Sequence, residues 1–225
     1  MNVKNVTAVM VIFMSGMIFS QISVAGSKIG ILVFDNVLTS DVTAPIEVFG
    51  AATKKSWFSN YEVVVIAVDN KEITTEEGLK MIADKTISDA PDIDVLLVPS
   101  AYDMSPYLKN KKLIKYLKQT AKQVKWLGSN CSGAFLLAEA GLLDNRNATT
   151  WAGGESDLQS QYPKVKVKFN QNVVIDKKII TSNGGAVSYQ SALLLLEKLS
   201  SKKTAIEIAE SIQLPRLKNW NIATH

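Results

Sequence analysis

The residue with the most chemistry in this chain is Cys131, its only cysteine, set in the segment Lys125–Leu142 (KWLGSNCSGAFLLAEAGL). A strand pattern over Val124–Ser129 runs into Asn130-Cys131-Ser132-Gly133, and an apolar helical pattern over Ser132–Gly141 begins at once. A strand, a sharp turn carrying a nucleophile, a small residue two positions on and a helix make up a nucleophile elbow, which holds the side chain out at the carboxyl edge of a sheet. At a helix N-terminus, unpaired N–H groups and the macrodipole favour a thiolate, so the spacing predicts a lowered thiol pKa. Spacing alone equally allows a cysteine that only packs. The acid of interest is Asp41, just ahead of Pro45, Val48, Phe49 and Ala52. Taken alone it reads as a helix N-cap, with Pro45 in the first turn, where a missing N–H costs nothing.

Other chemistries are poorly supplied. The single histidine is the last residue, His225, so Ser-His-Asp or Cys-His catalysis would have to recruit the chain terminus. One Cys and one His cannot complete a zinc site of Cys and His ligands, and a lone Cys forms no internal disulfide. Gly153-Gly154 and Asn183-Gly184-Gly185 are turn material without the strand-to-helix spacing of a dinucleotide fingerprint, and no phosphate loop is visible. No metal and no organic cofactor is expected.

The elements that must position these residues alternate. Lys28–Phe34, Tyr61–Val68 and Asp94–Pro99 are short, nearly continuous apolar runs of buried-strand type, and Leu108–Gln123 is an amphipathic helix. Thr149-Thr150, Val165–Phe169, Val173–Asp176 and Ile179–Ser182 are short and interrupted, as in a small antiparallel excursion or sheet edge. Ala186–Leu199 and Lys203–Ile212 return to helix, and Leu214–His225 has no clear period. Strands alternating with helices predict a mostly parallel α/β sheet covered on both faces. With 225 residues and 47% hydrophobic content, the chain can bury a full core in one domain, expected over 26–225. The net charge of +4 is carried by scattered lysines, among them Lys109, Lys111, Lys112, Lys115 and Lys118, at the spacing of a solvated helix face. A nucleic-acid partner is therefore not expected.

Residues 1–25 carry Lys4 as their only charge, an apolar run from Val6 to Phe19, and Ser23-Val24-Ala25 before Gly26. This is the pattern of a secretory signal peptide cleaved after Ala25, the run being shorter than the ~20 residues a spanning helix needs. An uncleaved anchor is the alternative. The expectation is a periplasmic or secreted protein with no stable membrane association after cleavage, in which Cys131 is a free thiol in an oxidising compartment.

Several motifs in order resemble the ThiJ/PfpI family of the class I glutamine amidotransferase-like fold, and within it the branch of isonitrile hydratases and AraC-type regulator sensor domains. They are Asp41-Val-Thr-Ala-Pro-Ile-Glu-Val-Phe49, Leu97-Val-Pro99, Cys131-Ser-Gly-Ala-Phe-Leu-Leu-Ala-Glu-Ala-Gly-Leu142, Ala148-Thr-Thr150 and Ile180-Thr-Ser-Asn-Gly-Gly185. The resemblance spans 28 to 212 and implies a flavodoxin-like three-layer sandwich. It further implies that Cys131 is the nucleophile and Asp41 the acid that shares a proton with it. The N–H groups of Ala101 and Ser132 would form the oxyanion site, and Glu47 would stay at the surface or behind the site. Isonitrile hydration to an N-substituted formamide is the reaction it suggests, a small molecule the ligand, and a homodimer the assembly; the alternative is a ligand-binding or thiol-sensing module without turnover. Two departures stand out. Thr149-Thr150-Trp151 puts an indole where many relatives have a histidine, making Trp151 either the floor of an apolar pocket or a packing residue. Pro99-Ser100-Ala101 replaces the frequent Pro-Gly-Gly and narrows the site.

Overall fold

The computed structural model describes residues 26–55 and 60–218; the apolar leader at 1–25, Trp220 and His225 lie outside them. The chain opens with β1 (Lys28–Val33), whose residues from Ile29 onward are all buried, as a strand covered on both faces requires. It is followed by α1 (Thr39–Lys55), β2 (Glu62–Ala67), the hairpin β3 (Glu72–Thr74) and β4 (Lys80–Ile82), β5 (Lys85–Thr86) and β6 (Val95–Val98). Next come α2 (Ser105–Leu108), α3 (Lys111–Gln123), β7 (Trp126–Asn130), α4 (Gly133–Glu139), β8 (Asn147–Ala148), α5 (Glu155–Gln161) and β9 (Lys166–Val167). The hairpin β10 (Val173–Asp176) and β11 (Ile179–Ser182) and the helices α6 (Val187–Leu199) and α7 (Lys202–Ser211) follow, and short 3-10 helices form at Ile87–Asp89 and, in the tail read as having no clear period, at Leu214–Lys218.

The main sheet has seven strands in the order β10-β11-β7-β6-β1-β2-β5. All pairings are parallel except β10 with β11, which puts the antiparallel strand at one edge. Helices α1, α6 and α7 pack together, and α2, α3 and α4 form a second group against β6 and β7. Crossovers between parallel strands are right-handed, so connections leaving β1 toward β2 and β6 toward β7 in opposite directions put their helices on opposite faces. This is the expected three-layer α/β sandwich. The reversal falls beside β1, between it and β6, and the crevice beyond the carboxyl ends of the strands at such a point is where open α/β sheets bind ligands.

Four local readings need correction. Helix α1 starts at Thr39, so Pro45 lies inside it rather than in its first turn. The carbonyl that Pro45 leaves without an N–H four residues on belongs to Asp41, and the Asn130 side-chain amide approaches it at 3.5 Å. Leu108–Gln123 divides in two because Asn110 caps α3, its Oδ1 accepting from the N–H groups of Lys112 at 3.1 Å and Leu113 at 3.0 Å. Of the segments read as an antiparallel excursion or sheet edge, Val173–Asp176 and Ile179–Ser182 are an antiparallel pair at the edge, but β8 and β9 pair in parallel. The β3–β4 hairpin and β5 were not visible as a period, being only two or three residues long. By contrast, α4 ends as read: Gly141, at φ +69°, donates to the Ala138 carbonyl while Leu142 donates to that of Leu137, the paired bonds of a glycine-terminated helix.

Gly133, two residues past the cysteine, admits no side chain. A Cβ there would lie 2.4 Å from the Val98 carbonyl oxygen and 2.7 Å from that of Pro99, both backbone atoms that cannot swing aside. Gly133→Ala is therefore expected to lower stability by about 3 kcal/mol, read as a depressed midpoint of thermal or urea unfolding. A midpoint equal to that of the parent would mean that the elbow and the end of β6 are not in contact.

Candidate active site

Asp41 lies in the first turn of α1, 1% exposed, and caps no helix. Its carboxylate instead faces the ends of two other strands. Oδ2 accepts from the Ser100 N–H at 3.1 Å and the Ser100 hydroxyl at 2.5 Å, both just past β6. Oδ1 accepts from the Gly185 N–H at 3.0 Å and the Ser188 hydroxyl at 2.7 Å, at the start of α6. Four donors fill the four acceptor positions of a carboxylate. Burial nevertheless dominates and pushes the Asp41 carboxyl above its ordinary value, against the pull of those hydrogen bonds.

Cys131 joins β7 to α4 with φ at +49°, a left-handed conformation rarely adopted by side-chain-bearing residues. Three contacts hold it there. Its N–H donates to the Ser182 carbonyl at 2.8 Å, continuing the β7–β11 ladder, and the Thr150 hydroxyl donates to its carbonyl at 2.8 Å. Gly184, at φ +76°, passes so close that a Cβ on it would stand 2.5 Å from the Cys131 Cβ and 3.1 Å from Asp41 Oδ1. Only a glycine lets the β11–α6 turn lie against the cysteine and the acid at once. Such strain, held in place by surrounding bonds, is a feature of functional positions.

The thiol does not follow the helix-terminus expectation. Burial pushes it up, the Asp41 carboxylate pushes it further, and the Ser100 hydroxyl, the Ser132 N–H and the Ser132 hydroxyl beside the sulfur oppose this only in part. Thiol and carboxyl are thus both raised, each chiefly by burial, and the Asp41 charge adds to the rise of the thiol.

The other predicted residues are placed as follows. Ser132 adjoins the sulfur, and its hydroxyl donates to the Ala101 carbonyl at 2.9 Å, tying the elbow to the segment after β6. The Ala101 N–H, expected as the second oxyanion donor, instead donates to Met104 Sδ at 3.2 Å, because the buried Met104 side chain folds back over that segment. Trp151 stacks on Phe135 of α4 with ring centroids 5.2 Å apart. Its ring also covers Gly154, where a Cβ would fall 2.0 Å from the indole, so the indole is committed to packing one residue beyond the Thr150 that braces the cysteine. Glu47 is exposed and accepts from the Tyr189 hydroxyl at 2.6 Å, away from the Asp41 carboxylate.

Sequence reasoning missed Ser100 and Ser188 as donors to Asp41, and Thr150 as the brace of the cysteine carbonyl. For Ser100 a signal existed in the replacement of glycine after Pro99. For Ser188, one serine among several in a helix, there was none. Among the described residues no three His, Cys, Asp or Glu side chains converge to hold a metal ion.

The sequence profile of the DJ-1/PfpI family matches residues 27–198. The chain belongs to the DJ-1/PfpI family. It is 28% identical over 188 residues to an isonitrile hydratase of Pseudomonas putida, an alignment covering 83% of this chain and 76% of that protein. It is 24% identical over 192 residues to the HTH-type transcriptional regulator GbdR of Pseudomonas aeruginosa, covering 85% of this chain but only 52% of the regulator. The fold also superimposes on a ThiJ/PfpI family protein from Pseudomonas syringae (TM-score 0.73, 20% identity, 88% of this chain and 77% of the other). Drosophila melanogaster DJ-1beta gives a TM-score of 0.72 at 16% identity, with 83% of this chain and 97% of the other covered. DJ-1/PfpI membership thus spans both enzymes and regulators built on one elbow fold.

Because the Asp41 charge raises the thiol, Asp41→Asn is expected to move the Cys131 titration to lower pH. Alkylation rate against pH, with Cys131 the chain's only thiol, reads this directly. An unmoved or upward-shifted profile would show that the carboxylate does not act on the sulfur as a like charge.

Proposed function

We propose that this DJ-1/PfpI chain is an exported thiol-dependent hydratase of small electrophiles, with an isonitrile as the substrate pattern. The observation that carries the reading is the strained Cys131 held beside Asp41, with Gly184 packed against both. The 28% identity to an isonitrile hydratase supports it.

An isonitrile takes a nucleophile and a proton on the same terminal carbon. The Cys131 sulfur forms a bond to that carbon while the thiol's proton, held on Asp41, is delivered to it, giving a thioimidate. Water then adds across the C=N bond, its oxygen to carbon and one proton to nitrogen; as the C–S bond breaks the remaining hydroxyl proton passes to the sulfur, and an N-substituted formamide leaves. An acid whose pKa is raised by burial suits this chemistry, since protonation accompanies attack and no base of histidine type is needed. Ser132 N–H, beside the sulfur, is the donor placed nearest the charge that develops there.

A second reading, a ligand-binding or thiol-sensing module without turnover, draws on two observations. The Ala101 N–H is occupied by Met104, and Trp151 fills the place of the usual histidine with a packed ring. Steady-state hydration of a set of small alkyl and aryl isonitriles separates the two. The enzyme reading expects Cys131→Ser and Asp41→Asn each to lose roughly a hundredfold or more in kcat/KM. Full turnover in either variant sinks the mechanism, and ligand binding with no turnover in the parent chain selects the module. Export expects a mature protein beginning at Gly26, read by intact mass from the periplasmic fraction; a full-length mass in the cytoplasm overturns it.

A further inference from the structure

The two residues that follow Pro99 are pinned by the rest of the fold at every polar group but one. The Ser100 N–H and hydroxyl donate to Asp41 Oδ2, and its carbonyl accepts from the Leu38 N–H at 2.8 Å. The Ala101 carbonyl accepts from the Ser132 hydroxyl at 2.9 Å, which ties it to the residue after the cysteine. The exception is the Ala101 N–H. It is taken from within its own loop, by Met104 Sδ at 3.2 Å. A thioether sulfur is a weak acceptor, and with Ala101 3% and Met104 7% exposed the side chain also closes the amide off from solvent. The main chain of Met104 is held separately, its carbonyl accepting from the N–H groups of Tyr107 at 3.0 Å and Leu108 at 2.9 Å in α2. The thioether is thus a movable cover over a fixed donor.

When a nucleophile on an elbow attacks a carbonyl, the negative charge develops on oxygen. Two N–H groups meet it, one from the residue after the nucleophile and one from the loop after another strand. In this chain those groups are the N–H of Ser132 and that of Ala101, since β6 is the parallel neighbour of β7. An isonitrile does not call on the second donor, because its attacked carbon takes the proton itself and no oxyanion forms. We propose that Met104 sets the substrate class of this site: its side chain occupies the place where a carbonyl oxygen would be held, favouring electrophiles protonated at the attacked carbon over esters, amides and oxoaldehydes. The inference rests on the thiol–acid reading of the function and deepens it.

The test compares two reactions of Cys131, the chain's only thiol. With p-nitrophenyl acetate, the sulfur forms a bond to the acyl carbon through a tetrahedral oxyanion. The C–O bond then breaks with its electron pair leaving on p-nitrophenolate, the thiol proton passes to solvent, and an acetyl thioester remains. The phenolate leaves without a proton, so the lack of a histidine does not mask the step. Iodoacetamide alkylates the same sulfur by displacing iodide, again with the thiol proton lost to solvent, at a carbon that passes through no oxyanion. A change in thiol exposure or pKa moves both rates alike, so their ratio reads the oxyanion donor.

Met104→Ala and Met104→Val, whose side chains end short of the δ position, are expected to raise the ratio of acylation to alkylation by about tenfold or more, one such donor being worth about 10²–10³ in rate. Met104→Leu keeps a carbon at that position and is expected to stay near the parent. An unmoved ratio in the alanine and valine variants, with alkylation intact, overturns the inference and leaves the thiol–acid pair standing. Acylation and alkylation rising in step also overturn it, since the side chain then only shields the sulfur, and so does a leucine variant that rises as far as alanine. A Cys131 that reacts with neither reagent in the parent removes the nucleophile, and both readings fall. If the parent turns over no isonitrile, that substrate fails alone, and the ratio still decides the role of Met104.

Discussion

A carboxylate can be buried only if donors meet it from several directions, and Asp41 sets that requirement for the whole carboxyl edge of the sheet. Satisfying its two oxygens brings the residue after β6 and the first turn of α6 onto the start of α1. Those segments come from the middle, the end and the beginning of the chain, and the seven-stranded order with its reversal beside β1 is what makes them neighbours. Truncating one donor would leave a buried acceptor short of a partner, a cost of about 1–3 kcal/mol. The acid is in this sense structural, and its main chain is met separately where α1 carries a proline four residues on. The carbonyl freed by Pro45 is turned toward Asn130, whose Oδ1 in turn accepts from the Ser182 hydroxyl at 2.6 Å.

The cysteine depends on the same convergence. Its left-handed backbone is held by the carbonyl of Ser182, the hydroxyl of Thr150 and the close passage of Gly184. Gly184 stands against both the thiol and the acid, so the turn between β11 and α6 fixes their separation. Burial then shapes the electrostatics. Burial pushes the acid and the thiol each toward neutrality, and the Asp41 charge pushes the thiol further. The helix terminus behind the cysteine acts in the opposite sense, but α4 is only seven residues long.

The departures from the commoner family pattern form a coherent set. Trp151 removes a base and adds an aromatic stack against Phe135, with Tyr162 meeting the same ring edge-on at 6.0 Å. Ser100 adds a hydroxyl that donates to the buried acid. Met104 engages the Ala101 amide, the group expected from the resemblance as an oxyanion donor.

The sequence by itself determined the layered α/β class, the elbow at Cys131 and the glycine that closes α4, because each is written in local periodicity or in one residue's backbone freedom. Asp41 was singled out only by the resemblance to the family, since its own spacing reads as a helix cap. What only the tertiary structure decided was how these residues meet. The direction of the thiol shift depends on burial and on a charge ninety residues away in sequence, neither of which a helix-terminus argument contains. Ser100 and Ser188 became donors to Asp41 through pairings across the sheet edge. The Ala101 amide was lost to Met104 because a buried side chain folded back onto it. Local patterns specify elements through short-range sterics and hydrophobic spacing, whereas protonation and hydrogen-bond partners follow from desolvation and from neighbours that only the completed fold brings into reach.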